Sequence, residues 1–261
     1  MTISDRDIAR RMATATALAR ECAALALEHR RDPARMNVQA KGRRDFVTAA
    51  DLAVERLIRE RISREFPGDG FLGEEGGGAS APLLWVVDPI DGTNNFARGL
   101  PSFAVSIAFC VDGRPVVGAI AEPVTGAIYT ARKGGGSFRD EAPIRVSDVG
   151  ALDQAMIEYG YAERRPVADN LDLARRLLDA GCDVRQVGSA ALGLARVAEG
   201  CLDAYCELHL NSWDVLAGML LVEEAGGRFS DFLAGDGMTR GNSVLAATPG
   251  LVDDLKRVTG L

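Results

Sequence analysis

Ile8, Met12, Ala15, Ala19, Cys22 and Leu25 recur at spacings of three and four behind an acidic start at Ser4, Asp5 and Asp7. That period lines one face of an α-helix, and it predicts one amphipathic helix ending near Arg31. A second helix opens at Thr48, whose partner Asp51 stands three residues on in the form of a capping box, and continues through Leu52, Ile58, Ile62 and Phe66 until Pro67-Gly68 stops it. Phe71 and Leu72 begin a short extended piece. Residues 83–87 are apolar throughout, too few for a helix and halted by Asp88-Pro89, so they read as a buried central strand. Residues 92–97 make a short helix closed by Gly99.

From Phe103 the pattern changes to short strands at 103–111, 115–121 and 127–131, separated by Asp112-Gly113 and Thr125-Gly126 turns, which is the pattern of an antiparallel meander. The run 133–136 reads as a loop, as does 76–78, and 144–146 offers one more strand. Neither glycine run carries the Lys-Ser/Thr of a phosphate-binding loop. Beyond about residue 150, strands at 155–159, 184–187, 202–208 and 243–247 alternate with helices at 171–178, 190–199, 213–225 and 251–258. The alternation makes this half α/β. With no internal repeat and no low-complexity linker, the chain divides into an α+β half, 1–146, and an α/β half, 147–261, packed directly on each other.

Composition narrows the function classes. The 261 residues carry a formal charge of −7, and 47% are hydrophobic, enough for a sizeable core. Lys41, Arg43 and Arg44 are the densest basic cluster, so nucleic acid and anionic membrane surfaces are not expected partners. No apolar run approaches a membrane span, and the acidic N-terminus lacks a signal-peptide pattern, which points to the cytoplasm. Five cysteines without a C-x-x-C pair and two histidines exclude a zinc site or a disulfide framework. Cys201 and Cys206 read as packed strand residues, His209 as structural, and Glu223 and Glu224 as solvent-facing. Any metal must then be held by carboxylate oxygens, which selects hard ions such as magnesium.

Acids of the required kind are present. In Trp85-Val86-Val87-Asp88-Pro89-Ile90-Asp91-Gly92-Thr93 a buried strand delivers Asp88, proline turns the chain, and Asp91 follows three residues on, so both carboxylates converge. The five fixed positions of D-P-x-D-G-T arise in such a chain by chance with a probability on the order of 10⁻⁴. Two ionised carboxylates that close repel unless a cation lies between them. Gly92 and Thr93 add unobstructed amides at a helix start, which suits a phosphate. Gly73-Glu74-Glu75-Gly76 sets two more acids after a short apolar piece, and Trp213-Asp214 opens a helix. Each has an ordinary alternative: turn acids at Asp88 and Asp91, a solvated loop at Glu74, a helix-dipole acid at Asp214, and a capping partner at Asp51.

The G-E-E, W-V-V-D-P-I-D-G-T-N-N-F and W-D-V-L-A-G segments, in this order and at these separations, closely resemble the signatures of the inositol monophosphatase family of magnesium-dependent, lithium-sensitive phosphatases. The likeness extends to residues 45–51, 103–108, 188–192 and 203–207, and so covers nearly the whole chain. It implies an α/β fold built as a layered αβαβα sandwich, and a homodimer. It further implies that Glu74, Asp88 and the carbonyl of Ile90 hold a first magnesium ion, that Asp88, Asp91 and Asp214 hold a second, and that Glu74 assists a third through waters. Asp51 and Thr93, with Glu74, match the catalytic group that orients and activates the attacking water. The amides of Gly92 and Thr93 match phosphate contacts, and Gly188, Ser189, Ala190, Glu207 and Asp214 match positions facing the substrate. Lys41 resembles a family lysine on a loop near the metals.

The resemblance implies a phosphoric monoester hydrolase acting on a small phosphorylated polyol. Thr93-Asn94-Asn95-Phe96 resembles the inositol enzymes more than the Thr-Lys-x-Phe form of other branches, and a carboxylate at Glu207 can accept hydrogen bonds from inositol or sugar hydroxyls. Inositol 1-phosphate is therefore the expected substrate, with fructose 1,6-bisphosphate, histidinol phosphate and 3′-phosphoadenosine 5′-phosphate as alternatives within the same chemistry. A non-catalytic metal-binding interaction protein is the remote alternative, disfavoured because Asp51 and Thr93 bind no metal in the assigned scheme.

Overall fold

Residues 3–31, 39–40 and 46–261 are described by a computed structural model. Helix α1 (Asp5–Arg31) buries Ala15, Leu18, Ala19, Cys22 and Ala26 on the face that the period predicted. Strands β1 (Gln39–Ala40) and β2 (Phe46–Val47) pair antiparallel. Helix α2 (Ala49–Glu65) starts at the expected capping box, in which the Thr48 amide donates to Asp51 Oδ2 at 2.9 Å. It ends at Phe66, before Pro67.

The first sheet is built from β3 (Gly70–Gly73), β4 (Gly77–Gly78), β5 (Leu83–Asp91), β6 (Ala104–Val111), β7 (Arg114–Glu122), β8 (Ala127–Arg132), β9 (Gly136–Arg139) and β10 (Ala142–Pro143). Its order is β10-β9-β8-β7-β6-β5-β3-β4, and β3 against β5 is the parallel pair. The short helix α3 (Thr93–Ala97) leaves the end of β5. The second sheet comprises β11 (Met156–Tyr159), β12 (Asp183–Arg185), β13 (Ala204–Leu210), β14 (Arg228–Phe229) and β15 (Asn242–Ala247) in the order β12-β11-β13-β15-β14. Helices α4 (Val167–Asp179), α5 (Ala190–Ala198), α6 (Ser212–Glu224), α7 (Gly237–Arg240) and α8 (Val252–Thr259) complete the described chain.

These elements stack as an αβαβα sandwich. Helices α1 and α2 cover the outer face of the large sheet through Leu18, Ile58, Trp85 and Phe109. Helices α5 and α6 fill the space between the sheets, where Val86, Ile120, Leu194, Leu220 and Val244 meet. Helices α4 and α8 cover the far face of the small sheet through Leu173, Leu177, Leu245 and Leu255. Placement between two sheets explains why α6 is apolar nearly all round instead of on one stripe. No helix among the described residues is long and apolar enough to cross a membrane.

Several local expectations are corrected. The central strand does not stop at Val87: β5 runs to Asp91, pairing Asp88 with Ser106 and Asp91 with Ala104 across a register shift. Pro89 falls in that shift, where its missing N–H costs no ladder bond. Gly77–Gly78 is not a loop but an edge strand against β3. Residues 144–146 form no strand, since Ile144 and Val146 each donate one amide bond, to Ser137 and Ala225, without building a ladder. Glu224 does not simply face water; its carboxylate receives the amides of Gly134 and Gly136 at 2.8 and 2.9 Å and so shapes the turn into β9. Cys206 is buried in β13, but Cys201 is exposed in the turn before it.

Candidate active site

The irregularity in β5 shapes the site. Asp88 is 1% exposed, and its Oδ1 accepts the Ile90 amide at 2.9 Å, folding the chain so that Asp91 returns to the same side. Opposite Asp88 on β6, the Ser106 hydroxyl donates to the Trp213 carbonyl at 3.1 Å. That bond ties the first turn of α6 to the end of β5 and brings in Asp214, whose Oδ2 accepts the Asn211 amide at 2.8 Å. Ligand oxygens of Asp88, Asp91 and Asp214 lie within 4.8 Å of one another.

The electrostatics of this cluster are unfavourable without a cation. Burial, then the charges of Glu74, Asp91 and Asp214, push the Asp88 carboxyl well above the usual carboxylate range. Burial and the charge of Asp214 push Asp91 up to about 7, against the hydrogen bonds it receives from Ser189 and the amides of Ala191 and Ala190. Burial also raises Asp214, which shares a hydrogen bond with Asp88. A buried cluster of hard oxygen donors whose mutual repulsion a positive charge would offset fits a divalent cation of the magnesium type.

Glu74 follows β3 and enters the field of Asp88; its amide donates to the Val87 carbonyl at 3.2 Å. The loop that carries it is held by Glu55 of α2, whose carboxylate accepts the amides of Glu75 and Gly76 at 2.8 and 2.9 Å. Asp51 is fully buried and has two tasks in geometric terms. Its Oδ2 accepts from the Thr48 amide and hydroxyl, while Oδ1 lies 3.3 Å from the Thr93 hydroxyl oxygen. That hydroxyl also lies 2.9 Å from the Ile90 carbonyl, so it has two acceptors for one hydrogen. Burial raises the Asp51 carboxyl, which strengthens it as a proton acceptor. Gly92 stands in left-handed backbone at φ 94°, and a Cβ there would come within 3.0 Å of the Ser102 carbonyl and 3.1 Å of the Gly188 carbonyl. Only glycine lets the chain pass so close.

The opposite wall comes from the second half of the chain. The Ser189 hydroxyl and the Ala191 amide donate to Asp91 Oδ2 at 2.5 and 2.7 Å, so the N-terminus of α5 is joined to the end of β5. A cavity of about 580 Å³ opens there, lined by Asp91, Asn94, Gly188, Ser189, Ala190 and Glu207 among others. Glu207 is buried against Tyr205, whose hydroxyl donates to Oε2 at 2.6 Å, and burial pushes its carboxyl up to about 8. Gly160 makes room for this pair: a Cβ there would lie 1.8 Å from Glu207 Oε2.

Asp88, Asp91 and Asp214 form one cluster, hydrogen bonds join Ile90 to Asp88 and Thr93 to Asp51 and the Ile90 carbonyl, Gly92 links Asp91 to Thr93 along the chain, Glu74 reaches Asp88 through its charge, and Gly188, Ser189, Ala190 and Glu207 line the adjoining cavity. Lys41, Arg43 and Arg44 lie outside the described residues. His209 bonds the Arg240 carbonyl at 3.0 Å, a structural contact. Sequence reasoning assigned no role of their own to Glu55, Asn95, Glu158 and Tyr205, reading Asn95 and Tyr205 only as parts of matching segments. The one available signal was Glu158, an acid inside an otherwise apolar strand segment.

Comparison with known proteins places the chain in a family. The family model described as the inositol monophosphatase family matches residues 7–258. The inositol-1-monophosphatase of Rhizobium meliloti is 37% identical over 228 residues, covering 85% of this chain and 86% of that protein. The Nus factor SuhB of Xylella fastidiosa is 39% identical over 221 residues, covering 84% of this chain and 80% of that protein. The crystal structure of the extragenic suppressor protein suhB from Bartonella henselae superposes with a TM-score of 0.90 at 32% identity, over 96% of this chain and 98% of that one. With the family match spanning nearly every residue from α1 to α8, this chain belongs to the inositol monophosphatase family.

Proposed function

We propose that this chain is a magnesium-dependent phosphomonoesterase that hydrolyses inositol 1-phosphate to inositol and phosphate. The observation that carries the reading is the junction at Asp91: one carboxylate belongs to the acidic cluster and, through Ser189, to the wall of a cavity whose floor holds Glu207. Glu74, Asp88, the Ile90 carbonyl, Asp91 and Asp214 would hold two ions, with a third near Glu74. When bound, magnesium ions offset the repulsion between these acids and a phosphate dianion, and supply Lewis-acid activation of water and phosphoryl oxygens.

The chain's own residues supply the rest. Asp51 accepts a hydrogen bond from the Thr93 hydroxyl, whose oxygen can accept from a water and orient it for in-line attack, and as the water oxygen bonds phosphorus its proton passes to Thr93 while the Thr93 proton passes to Asp51. The amides of Gly92 and Thr93 receive phosphate oxygens. Gly188, Ser189 and Ala190 bound the polyol, and Glu207, fixed by Tyr205, accepts from its hydroxyls. On this reading residues 1–146 carry the water-activating and metal-holding groups and residues 147–261 the polyol-facing ones, with Asp214 serving both. The working form is a cytoplasmic homodimer, which sedimentation and cell fractionation test.

Phosphate release from inositol 1-phosphate, fructose 1,6-bisphosphate, histidinol phosphate and 3′-phosphoadenosine 5′-phosphate, each with magnesium and with chelator, tests the function. The expected result is magnesium-dependent release with the highest kcat/KM on inositol 1-phosphate. Preference for another of the four moves the substrate. Release from none, at any magnesium concentration, overturns the reading.

A further inference from the structure

Residues 74–76 form the turn between β3 and β4, whose pairing ends with Gly73 opposite Gly77. Strand β5 holds one side of this turn: Gly73 pairs with Val87, and the Glu74 amide donates to the Val87 carbonyl at 3.2 Å, which sets Glu74 beside Asp88. On the other side a single carboxylate takes the next two amides. Glu55 Oε2 accepts from Glu75 at 2.8 Å and Oε1 from Gly76 at 2.9 Å.

Glu55 is 4% exposed and lies one turn of α2 beyond Asp51, so one helix face delivers Asp51 to the Thr93 hydroxyl and Glu55 to the turn that carries Glu74. Arg59, a turn further on, donates to Glu55 Oε1 at 2.9 Å and to the Gly77 carbonyl at 3.2 Å, and it lies over the Phe71 ring, 4.2 Å from its centroid. Both oxygens of the carboxylate are thereby matched with donors. The glycines flanking Glu74 and Glu75 have the same cause. Neither Gly73 nor Gly76 has a positive φ, yet a Cβ at Gly73 would come within 2.4 Å of Glu55 Oε2, and one at Gly76 within 2.6 Å of Oε1. Room for the carboxylate, not backbone freedom, requires them.

We propose that Glu55 is a positioning residue that fixes Glu74 beside Asp88, and that Gly73 and Gly76 serve to admit its carboxylate. That Glu74 holds a metal ion there rests on the function proposed above. Glu55→Ala removes both acceptors, whereas Gly76→Ala keeps the carboxylate and drives a methyl against it and Arg59.

Amide hydrogen exchange at positions 75 and 76 in the metal-free protein, and the magnesium dissociation constant from calorimetric titration, are measured for the unmutated protein, both variants and the double variant. Glu55→Ala is expected to speed exchange at both amides by at least about tenfold, the equivalent of one hydrogen bond to a charged group. It should weaken magnesium binding by about 10- to 100-fold, as loss of a group that orients a ligand does. Gly76→Ala should act in the same direction to a smaller extent, and the double variant should be no worse than Glu55→Ala, because the methyl then enters vacated space. A fall in Tm with exchange and magnesium affinity unchanged reduces Glu55 to an ion pair on α2 and overturns the proposal, and so do losses that add in full. Should Glu55→Ala not fold, Gly76→Ala, in an exposed turn, decides alone: unchanged exchange and affinity overturn the proposal. If the unmutated protein binds no magnesium, the function reading falls by itself, and the exchange rates and their overlap alone uphold or overturn the placement of the turn.

Discussion

Replacing Asp88 by asparagine should stabilise the metal-free protein at pH 8 while weakening its response to magnesium. The oxygens of Asp88, Asp91 and Asp214 lie within 4.8 Å of one another, a separation at which two ionised carboxylates repel by roughly 3.5 kcal/mol at an effective dielectric constant of about 20. The protein limits this repulsion by retaining protons, with Asp91 raised to about 7. An acid whose folded value exceeds its unfolded one binds more protons when folded, so its contribution to stability falls as pH rises from about 4 to about 7 and stays low above that. For a shift to about 7, the loss is on the order of 4 kcal/mol at pH 8. Asparagine keeps an oxygen for the Ile90 amide and a donor for Asp214 without having to retain a proton. Removing a carboxyl that must either keep its proton or repel its neighbours should return about 3 kcal/mol, or roughly 6–12 °C in Tm for a chain of this size. Thermal unfolding in chelator from pH 5 to pH 9 measures it: the two proteins should converge near pH 5 and separate above pH 7, with the variant higher. Added magnesium should raise the unmutated Tm steeply and the variant's little. A variant melting at or below the unmutated protein across that range in chelator would refute the picture of a repulsive, proton-retaining cluster.

Thr93→Ala and Asp51→Asn should each lower kcat by roughly 10² to 10⁴ with little change in magnesium affinity, and the double variant should lose no more than the worse single one, because the two act as one unit. Near-normal turnover in both would reduce Asp51 to its capping bond with Thr48, worth about 1 kcal/mol of stability. Chelation should abolish phosphate release, and millimolar lithium should inhibit it; full activity in metal-free protein would remove the acidic cluster from the chemistry. Gly160→Ala drives a methyl into Glu207 and the Tyr205 hydroxyl, so it should cost roughly 1–3 kcal/mol of stability and raise KM for a polyol ester more than it lowers kcat. An unchanged KM would separate Glu207 from substrate recognition.

What the sequence determined by itself was whatever depends on near neighbours. The three- and four-residue period of Ile8, Met12, Ala15 and Ala19 suffices for α1, because a helix face is set within a few turns, and Thr48 with Asp51 suffices for the start of α2, because a capping box closes over three residues. The spacing of Asp88 and Asp91 was enough to announce converging carboxylates for the same reason. Tertiary structure decided what near neighbours cannot. Asp88-Pro89 reads as a stop, yet β5 continues because β6 is there to pair beyond the register shift. Gly77–Gly78 has no strand propensity and becomes a strand because β3 offers it an edge. Glu55 and Asn95 lie on faces whose hydrogen-bond partners, the amides after Glu74 and the carbonyls of Val187 and Gly188, are brought to them by the packing of α2 and α5. Ser189 reaches Asp91 across 98 residues of chain. Local periodicity reports which face of an element is apolar, but only the closed sandwich sets which two polar groups share a buried space, and there an unmatched partner costs enough to hold the geometry.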